Sequence, residues 1–227
     1  MTEINYHRQL DIFKPELYSS VPIHVVGCGG IGSFLAYDLA MLGLAENLIL
    51  WDNDTVEDHN IPNQNFLLEH IGMSKCVALA DFINKKCGVS PKVKERFFTE
   101  DSHILNGIVI LCTDNIDSRK LVYNDIKNRE NVIAVIDGRL GGESFAIYTA
   151  MLNNQTDKEN YEATFFDASE TQELPCTAKA IIYVGAYIAA LMTKQVKDIL
   201  MQEKYATKIH VDIKNNIIMY NDSIIVY

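Results

Sequence analysis

The protein has 227 residues, a length that corresponds to one large domain or two small ones. Hydrophobic residues make up 48% of the chain and charged residues 22%, a composition that excludes an intrinsically disordered protein. Lys and Arg number 20 against 30 Asp and Glu, so the formal net charge is −10. Because such an acidic surface repels phosphate backbones and anionic lipids, we expect neither nucleic acid nor a membrane as a partner.

The cysteines and the N-terminus indicate a cytoplasmic protein. The five cysteines are an odd number and form no CxxC pair, which argues against a disulfide framework and against a cysteine-rich zinc site. Residues 1–10 are polar and lack the basic-then-apolar order of a signal peptide. The longest apolar run, residues 181–192, is shorter than the roughly 20 residues that cross a bilayer.

Short apolar runs alternate with helical patterns over residues 22–137. An apolar, β-branched run that ends in glycine is typical of a buried parallel strand, whereas apolar residues three or four positions apart indicate a helix. Strands alternating with helices predict a parallel sheet. Gly43 is predicted to end the first helix and Ser74 to cap the second. The predicted strands are 22–27, 47–51, 92–98, 107–112 and 132–137, and the predicted helices are 31–42, 74–86 and 115–128.

The pattern changes after residue 142. A strand over 143–151 is followed by a polar segment without a clear period and then by a long helix over 177–203. Three short strands, separated by Lys-Asn-Asn and Asn-Asp-Ser turns, predict an antiparallel meander. We therefore predict a single α/β domain, a Rossmann-like doubly wound sheet that is parallel in its first half and antiparallel at its C-terminal end. Its parts are an N-terminal arm (1–20), a crossover loop (152–175) and a C-terminal meander (207–227, with strands 208–213, 217–220 and 224–227).

A glycine loop at residues 27–32, Gly-Cys-Gly-Gly-Ile-Gly, satisfies G-x-G-x-x-G between the first strand and the first helix. Gly27 permits a tight turn, Gly29 lets the backbone approach a phosphate, and Gly32 lets the helix pack closely on the strand. Asp52 follows the second strand about 20 residues later, where a carboxylate binds ribose hydroxyls. This context predicts a nucleotide site, but the motif does not distinguish NAD from ATP.

Three further side chains each have a functional and a structural interpretation. Asp114 follows the fourth strand, where it would either bind Mg²⁺ or cap the next helix. Lys75, at the start of its helix, would either reach phosphates or be a solvated surface residue. Cys176 opens the long helix, where the helix dipole favours a nucleophilic thiolate. The alternative for Cys176 is a packing role, which we assign to the other four cysteines.

Taken in sequence order, these motifs resemble the ThiF/MoeB/HesA family, the bacterial relatives of ubiquitin-activating enzymes. The glycine loop is similar to the nucleotide loop of that family, and Cys176 falls where many members keep a thiol. Further matches are Tyr6-His7-Arg8-Gln9 to YxRQ, residues 52–57 to DxDxV, His59-Asn60 with Gln64 to SNLxRQ, Ile71-Gly72 with Lys75 to GxxK, and residues 112–115 with Arg119 to CTDN…R.

The resemblance implies ATP- and Mg²⁺-dependent adenylation of a C-terminal carboxylate. The substrate would be a small ubiquitin-like protein, a sulfur-carrier protein or a peptide, and the enzyme would be a homodimer. Asp114 would bind Mg²⁺, Arg8 would reach the triphosphate of the partner subunit, and Cys176 would accept the activated acyl group. The implied nucleotide ligands are Gly27, Gly29, Gly30, Gly32, Asp52, Asp54 and Asn115, together with Asn60, Gln64 and Lys75 at the phosphates.

The chain also departs from the family pattern. The expected Arg-Gln pair is Asn63-Gln64 here, so one arginine is missing from the ATP site. Arg139 would replace it, bind substrate or have a structural role. Because no CxxC pair is present, we expect no structural zinc. The sequence ends at Tyr227 without a rhodanese or ubiquitin-fold extension, so sulfur transfer or conjugation would need separate proteins.

Two other functions stay open at this stage. The missing arginine would suit a non-catalytic partner subunit of a heterodimeric activating enzyme. The glycine loop would also suit an NAD-dependent oxidoreductase, although no separate substrate domain follows the sheet. The position of Lys75 and that of Cys176 go unexplained in the oxidoreductase.

Overall fold

The computed structural model describes residues 4–96, 105–165 and 181–221, together with the backbone of Ser223–Val226. The strands in this part of the chain are β1 (Ile23–Val26), β2 (Leu48–Trp51), β3 (Lys92–Lys94), β4 (Gly107–Leu111), β5 (Val132–Gly141), β6 (Ser144–Met151), β7 (Lys208–Asp212), β8 (Ile217–Tyr220) and β9 (Ser223–Val226). The α-helices are α1 (Gly32–Leu39), α2 (Lys75–Cys87), α3 (Ile116–Ile126), α4 (Gln155–Glu162) and α5 (Ile182–Leu200). All the strands join one sheet in the order β3-β2-β1-β4-β5-β6-β7-β8-β9.

The first five strands are parallel, with β1 between β2 and β4. Every residue of β1 and β4 is buried, as expected for apolar strands that are covered on both faces of the sheet. The chain runs outward from β1 to β2 and β3 and then returns to β4 on the other side of β1. Such a reversal of strand order opens a crevice at the carboxyl ends of the two central strands, where open α/β sheets bind ligands.

From β5 onward the strands are antiparallel, so the predicted fold class is confirmed. The strands β5 and β6 form a hairpin, and β7, β8 and β9 follow as the predicted meander. Asn216 (φ 55°) and Asn221 (φ 47°) turn the chain between these strands in the left-handed conformation that asparagine tolerates. The strand β5 extends beyond its predicted end at residue 137, because pairing with β6 continues until Gly141 faces Ser144.

Helices cover both faces of the sheet and place two helix beginnings at the crevice. On one face, α1, α2 and α5 bury residues such as Leu35, Leu79 and Ile188 in a common core. The other face is covered by α3 and α4, which bury Val122 and Tyr161. The start of α5 lies so close to the glycine loop that a Cβ atom at Gly185 would be 2.4 Å from the carbonyl oxygen of Gly30.

The segment predicted as a polar crossover loop, 152–175, contains the helix α4. Its sequence has no apolar period, because only Asp157 and Tyr161 are buried. The helix is capped by Asn154, whose side-chain oxygen accepts hydrogen bonds from the backbone N–H groups of Thr156 (3.0 Å) and Asp157 (3.3 Å). The prediction of a loop was therefore wrong for residues 155–162, and residues 166–175 lie outside the described part of the chain.

Two predicted helices are shorter as α-helices. The first leaves α-geometry after Leu39 and continues as a π-helical turn over Ala40–Leu44, which Gly43 ends at a φ of 97°. The long helix ends at Leu200, before the predicted residue 203, because Gln202 adopts a φ of 57°. Residues 177–180 of that prediction lie outside the described residues. No helix in the described part of the chain is long and apolar enough to cross a membrane.

The buried ring of His24 in β1 is held in its neutral form. Its Nδ1 accepts a hydrogen bond from Nε1 of Trp51 at 3.0 Å, and its Nε2 faces Oδ1 of Asn106 at 3.4 Å. Burial lowers the pKa of His24 to about 4, because the protonated ring would lose its hydration. Protonation would also direct a second N–H group at the N–H group of Trp51.

We therefore predict that His24 makes a destabilising contribution at mildly acidic pH. The unfolded chain binds this proton below about pH 6.5 and the folded chain only near pH 4, so stability is lost as the pH falls through that window. This group alone should lower the free energy of unfolding by about 2 kcal/mol between about pH 7 and pH 5. Urea unfolding of the wild type and of His24→Gln at both pH values measures the difference. An equal pH dependence in both proteins would contradict the prediction.

Candidate functional site

The glycine loop lies in the crevice, between the end of β1 and the start of α1. Gly27 has a φ of 93°, and a Cβ atom there would be 2.8 Å from the carbonyl oxygen of Cys112. At Gly32 a Cβ atom would be 1.9 Å from the carbonyl oxygen of Gly27. Among the described residues, no atom lies within 4 Å of a Cβ atom at Gly29 or Gly30. Gly27 and Gly32 are therefore required for packing, while a side chain at Gly29 or Gly30 would point into open space, and space beside a helix start is where phosphates bind.

Asp52 is fixed beside this loop, at the carboxyl end of β2. Its Oδ2 accepts a hydrogen bond from the backbone N–H of Cys28 at 2.6 Å, and its Oδ1 accepts one from the N–H of Asp54 at 2.8 Å. Burial raises the pKa of Asp52, and the two hydrogen bonds oppose that rise. Each carboxylate oxygen retains a lone pair for a ribose hydroxyl, so the predicted role of Asp52 fits its position.

An ion pair with Asp54 orients the side chain of Lys75. Its Nζ lies 2.9 Å from Oδ2 of Asp54, and only 12% of the lysine side chain is exposed. The backbone N–H of Lys75 also donates to the carbonyl oxygen of Asp54 at 2.9 Å, where α2 begins. This geometry favours a positioned cation over a solvated surface lysine.

The predicted capping by Ser74 was wrong, because its hydroxyl contacts Sγ of Cys76 at 3.4 Å and caps no backbone N–H group.

The segment with the predicted phosphate ligands Asn60 and Gln64 is anchored on α1. Asn65 donates its backbone N–H to Oγ of Ser33 at 3.1 Å, in the first turn of that helix. The side-chain oxygen of Asn60 is already used, because it accepts the N–H of Glu57 at 2.9 Å. The side-chain oxygens of Gln64 and Asn63 are buried and have no hydrogen-bond partner among the described residues. A bound ligand or water would satisfy these orphaned acceptors.

Asp114 lies at the carboxyl end of β4, across the crevice. The predicted alternative, that Asp114 caps the next helix, was wrong, because Asn115 accepts the N–H of Ser118 at 2.7 Å and is the cap of α3. The amide group of Asn115 also donates to Oδ1 of Asp114 at 3.2 Å. Asp114 is exposed, and beside it the hydroxyl of Thr113 is buried without a described partner. An exposed carboxylate next to the proposed phosphate position fits Mg²⁺, which takes carboxylate and phosphate oxygens.

Two predicted cations lie apart from this cluster. Arg8 is exposed on a short 3₁₀ turn, His7–Gln9, and Gln9 ties that turn to the carbonyl oxygen of Leu42 at 2.8 Å. Since Leu42 follows the end of α1, Arg8 lies at the opposite end of that helix from the glycine loop of its own chain. Arg139 binds Asp137 and Thr164, so its donors are used within the fold. This favours the structural role among the three roles that the sequence left open.

Asp137 was assigned no role from the sequence, yet its carboxylate is fully buried between two arginines. The sequence contains a pattern that could have indicated this ion pair: Asp137 ends an otherwise apolar run in β5, and Arg139 follows two positions later. The thiols of Cys28, Cys76 and Cys87 are buried and that of Cys112 is half-buried, in agreement with packing roles. Cys176 lies outside the described residues.

Comparison with known proteins identifies a family model and related sequences. The model of the ThiF family matches residues 6–222. The chain is 34% identical over 112 residues to the Nedd8-activating enzyme E1 catalytic subunit of Drosophila melanogaster, covering 47% of this chain and 24% of that protein. It is 32% identical over 105 residues to the adenylyltransferase and sulfurtransferase UBA4 of Yarrowia lipolytica, covering 44% and 26%. The chain thus spans about a quarter of the length of these relatives.

Solved structures share the fold. The structure of E. coli MccB with ATP has a TM-score of 0.73 and 18% identity, over 93% of this chain and 66% of that one. PaaA has a TM-score of 0.68 and 19% identity, over 90% of this chain and 75% of that one. The family model covers nearly all of this chain, and the motifs that carried the resemblance follow in the same order along it. The chain therefore belongs to the ThiF family.

Proposed function

We propose that the protein adenylates a C-terminal carboxylate with ATP. One observation carries the proposal: the open backbone of Gly29, the fixed carboxylate of Asp52 and the directed cation of Lys75 are positioned around one crevice. The relatives named above include a Nedd8-activating enzyme subunit and an adenylyltransferase. By analogy, the substrate class is a small ubiquitin-like protein, a sulfur-carrier protein or a peptide with a free C-terminus.

In this proposal each part of the site has one task. Asp52 binds the ribose hydroxyls, and the N–H groups at the start of α1 bind the phosphates. Lys75 and Gln64 contact the same phosphates. Asp114 holds Mg²⁺, which neutralises phosphate charge when bound. Asn60 and Asn115 shape the two turns that flank the nucleotide, and Asp54 directs Lys75.

The proposed reaction forms a mixed anhydride. An oxygen of the substrate carboxylate attacks the α-phosphorus of ATP, and the bond from that phosphorus to the bridging oxygen of pyrophosphate breaks. Because an anion attacks an anion, negative charge accumulates in the transition state, and a fixed cation such as Lys75 stabilises it. Further cations are needed, since Asn63 stands where the family has arginine. We propose that Arg8 of a second copy supplies one, which makes the active form a homodimer.

The proposed compartment is the cytoplasm. The four described cysteines are free thiols, a state that a reducing compartment maintains.

ATP–pyrophosphate exchange tests the proposal. The purified chain is incubated with ATP, Mg²⁺ and small proteins that end in Gly-Gly, and exchange is expected only when the C-terminal carboxylate is free. The matched control is the same substrate with its C-terminal carboxylate converted to an amide. Exchange that appears only after a second ThiF-family chain is added would favour the non-catalytic subunit, the function that Asn63 motivates. Binding of NADH but not of ATP would favour the oxidoreductase.

Cys176 provides a separate prediction, since the family resemblance makes it the acyl acceptor. Its thiolate would attack the acyl carbonyl of the adenylate, forming a thioester and releasing AMP. Cys176→Ala should then retain ATP–pyrophosphate exchange but lose a thiol-sensitive adduct with the substrate, as measured by mass spectrometry without reductant. Cys87→Ala is the control and should retain both, because the Cys87 thiol is buried at the end of α2. Loss of both activities in Cys176→Ala would assign that residue a structural role.

A further inference from the structure

The carboxylate of Asp137 is the centre of a buried ionic cluster. Its Oδ1 accepts a hydrogen bond from Nε of Arg119 at 2.8 Å, and its Oδ2 accepts from Nε of Arg139 at 2.8 Å and from the hydroxyl of Tyr161 at 3.0 Å. Asp137 is fully buried and Arg119 is 4% exposed. Replacing such a buried pair with apolar residues is often neutral for stability, so a role in positioning other groups is the stronger reason for its presence.

Arg119 connects this cluster to the edge of the nucleotide site. Its Nη2 donates to the carbonyl oxygen of Thr113 and also, at 3.1 Å, to that of Gly138. The carbonyl group of Thr113 belongs to the peptide bond that leads into Asp114. The contact therefore fixes the plane of that peptide and with it the direction in which the side chain of Asp114 leaves the backbone.

The residues on either side of Asp114 are fixed independently. The backbone N–H of Cys112 donates to the carbonyl oxygen of Val26 at 2.8 Å, which continues the ladder between β4 and β1. Asn115 is held as the cap of α3 by the N–H of Ser118. Between these two anchors, the carbonyl oxygen of Thr113 accepts the hydrogen bond from Arg119, and this contact holds the carbonyl group in place.

We propose that Arg119, held by Asp137, is a positioning residue that sets Asp114 for binding a divalent cation. The proposal rests on the proposed function, in which Asp114 is the Mg²⁺ ligand. Arg119 touches neither the nucleotide nor the cation. It acts through the peptide bond between Thr113 and Asp114. Without Arg119 the carboxylate of Asp114 keeps its 3.2 Å contact with the amide group of Asn115, but the peptide before it is less restricted, so metal binding weakens.

The same cluster contains a matched control. Arg139 shares Asp137 with Arg119, but its other donors bind the carbonyl oxygen of Thr164 at 3.0 Å and the hydroxyl of Thr164 at 2.9 Å. Its guanidinium group lies over the ring of Tyr148, 4.5 Å from the centroid. Arg139 thus anchors the end of α4, and within the described part of the chain its guanidinium group makes no hydrogen bond to residues 113–115.

Metal binding in a double-mutant cycle tests the proposal. Mn²⁺, which prefers the same oxygen ligands as Mg²⁺, is titrated into the folded protein with a non-hydrolysable ATP analogue, and free Mn²⁺ is measured by electron paramagnetic resonance. Arg119→Lys keeps the charge beside Asp137 but cannot bridge the same acceptors. We expect it to raise the Kd of Mn²⁺ about tenfold, and Arg139→Lys to change that Kd less than about twofold. Adding Arg119→Lys to Asp114→Asn should cause no further loss.

The outcomes separate this inference from the proposed function. An unchanged Kd of Mn²⁺ in Arg119→Lys, or losses that add in the double variant, would overturn the inference. If Arg119→Lys does not fold, Asp137→Asn, which keeps the side-chain volume, replaces it with the same expected loss. Failure of the unaltered protein to exchange pyrophosphate with ATP counts against adenylation. The coupling between Arg119 and Asp114 is then still judged by Mn²⁺ binding alone.

Discussion

Replacing Gly29 with alanine is expected to weaken ATP binding at least tenfold while the protein stays folded. No atom of the described residues lies within 4 Å of the added methyl group, and the φ of Gly29 is outside the left-handed region, so the substitution meets no clash in the described part of the unliganded fold. The methyl group would instead occupy the space in front of the N–H groups at the start of α1, where the proposed phosphate binds. Calorimetric titration with ATP measures the expected loss, which corresponds to about 1.4 kcal/mol or more.

Gly32→Ala is the contrasting variant within the same loop. Its methyl group would lie 1.9 Å from the carbonyl oxygen of Gly27, a backbone atom that cannot rotate away. α1 would have to move from β1, which should cost at least about 1–3 kcal/mol and lower the Tm. If Gly29→Ala binds ATP as tightly as the wild type, or if it lowers the Tm as much as Gly32→Ala does, the open space is not a phosphate site.

The parallel half of the sheet was predictable because its physics is local. Buried strands such as β1 and β4 consist almost entirely of apolar residues, and these runs stand out in the sequence. Since all parallel strands end at one edge of the sheet, residues after consecutive runs are brought together without further information. This is why Asp52 and Asp114 could be assigned to one crevice from their positions after strands.

The helix α4 and the Asp137 cluster were missed for a different reason. The helix buries only two side chains, so its existence depends on the Asn154 cap and on a hydrogen bond from the Tyr161 hydroxyl to Asp137. Arg119 and Asp137 are 18 residues apart, and their pairing is decided by the packing of α3 against β5. The hydrophobic pattern of the sequence does not predict such a contact, because it does not distinguish a buried ion pair from an exposed one.

The orientation of Lys75 was likewise not predictable from the sequence pattern. From sequence, a lysine at a helix start is indistinguishable from a surface residue. Its direction is decided by the isolated bridge between Thr55 and Ser74, which brings Asp54 against the start of α2.

The structure also explains how an acidic chain would hold a triphosphate. Asp137 pairs with both Arg119 and Arg139 inside the fold, and Lys75 stays at the crevice with a partner that is 61% exposed.

We therefore expect Lys75→Met to lower the rate of ATP–pyrophosphate exchange at saturating ATP by about 10²–10³-fold, the effect of removing one fixed donor from a transition state. Stability should change little, because the ion pair with Asp54 is largely exposed on the carboxylate side and such pairs contribute about 0–1 kcal/mol. A loss confined to the exchange rate, with the Kd of ATP raised much less, would show that Lys75 acts mainly on the transition state.

Lys85→Met is the matched control, because Lys85 lies on the same helix and is also ion-paired, to Asp81 at 2.7 Å and to Glu69. It lies more than two turns from the start of α2, so removing its charge leaves the crevice unaltered and the exchange rate should stay near that of the wild type. Equal losses in the two variants would show that the general charge of α2 matters and not the direction of Lys75. Full activity in Lys75→Met would remove the main cation from the proposed mechanism, and the carboxylate attack would then lack the charge stabilisation that the geometry assigns to this chain.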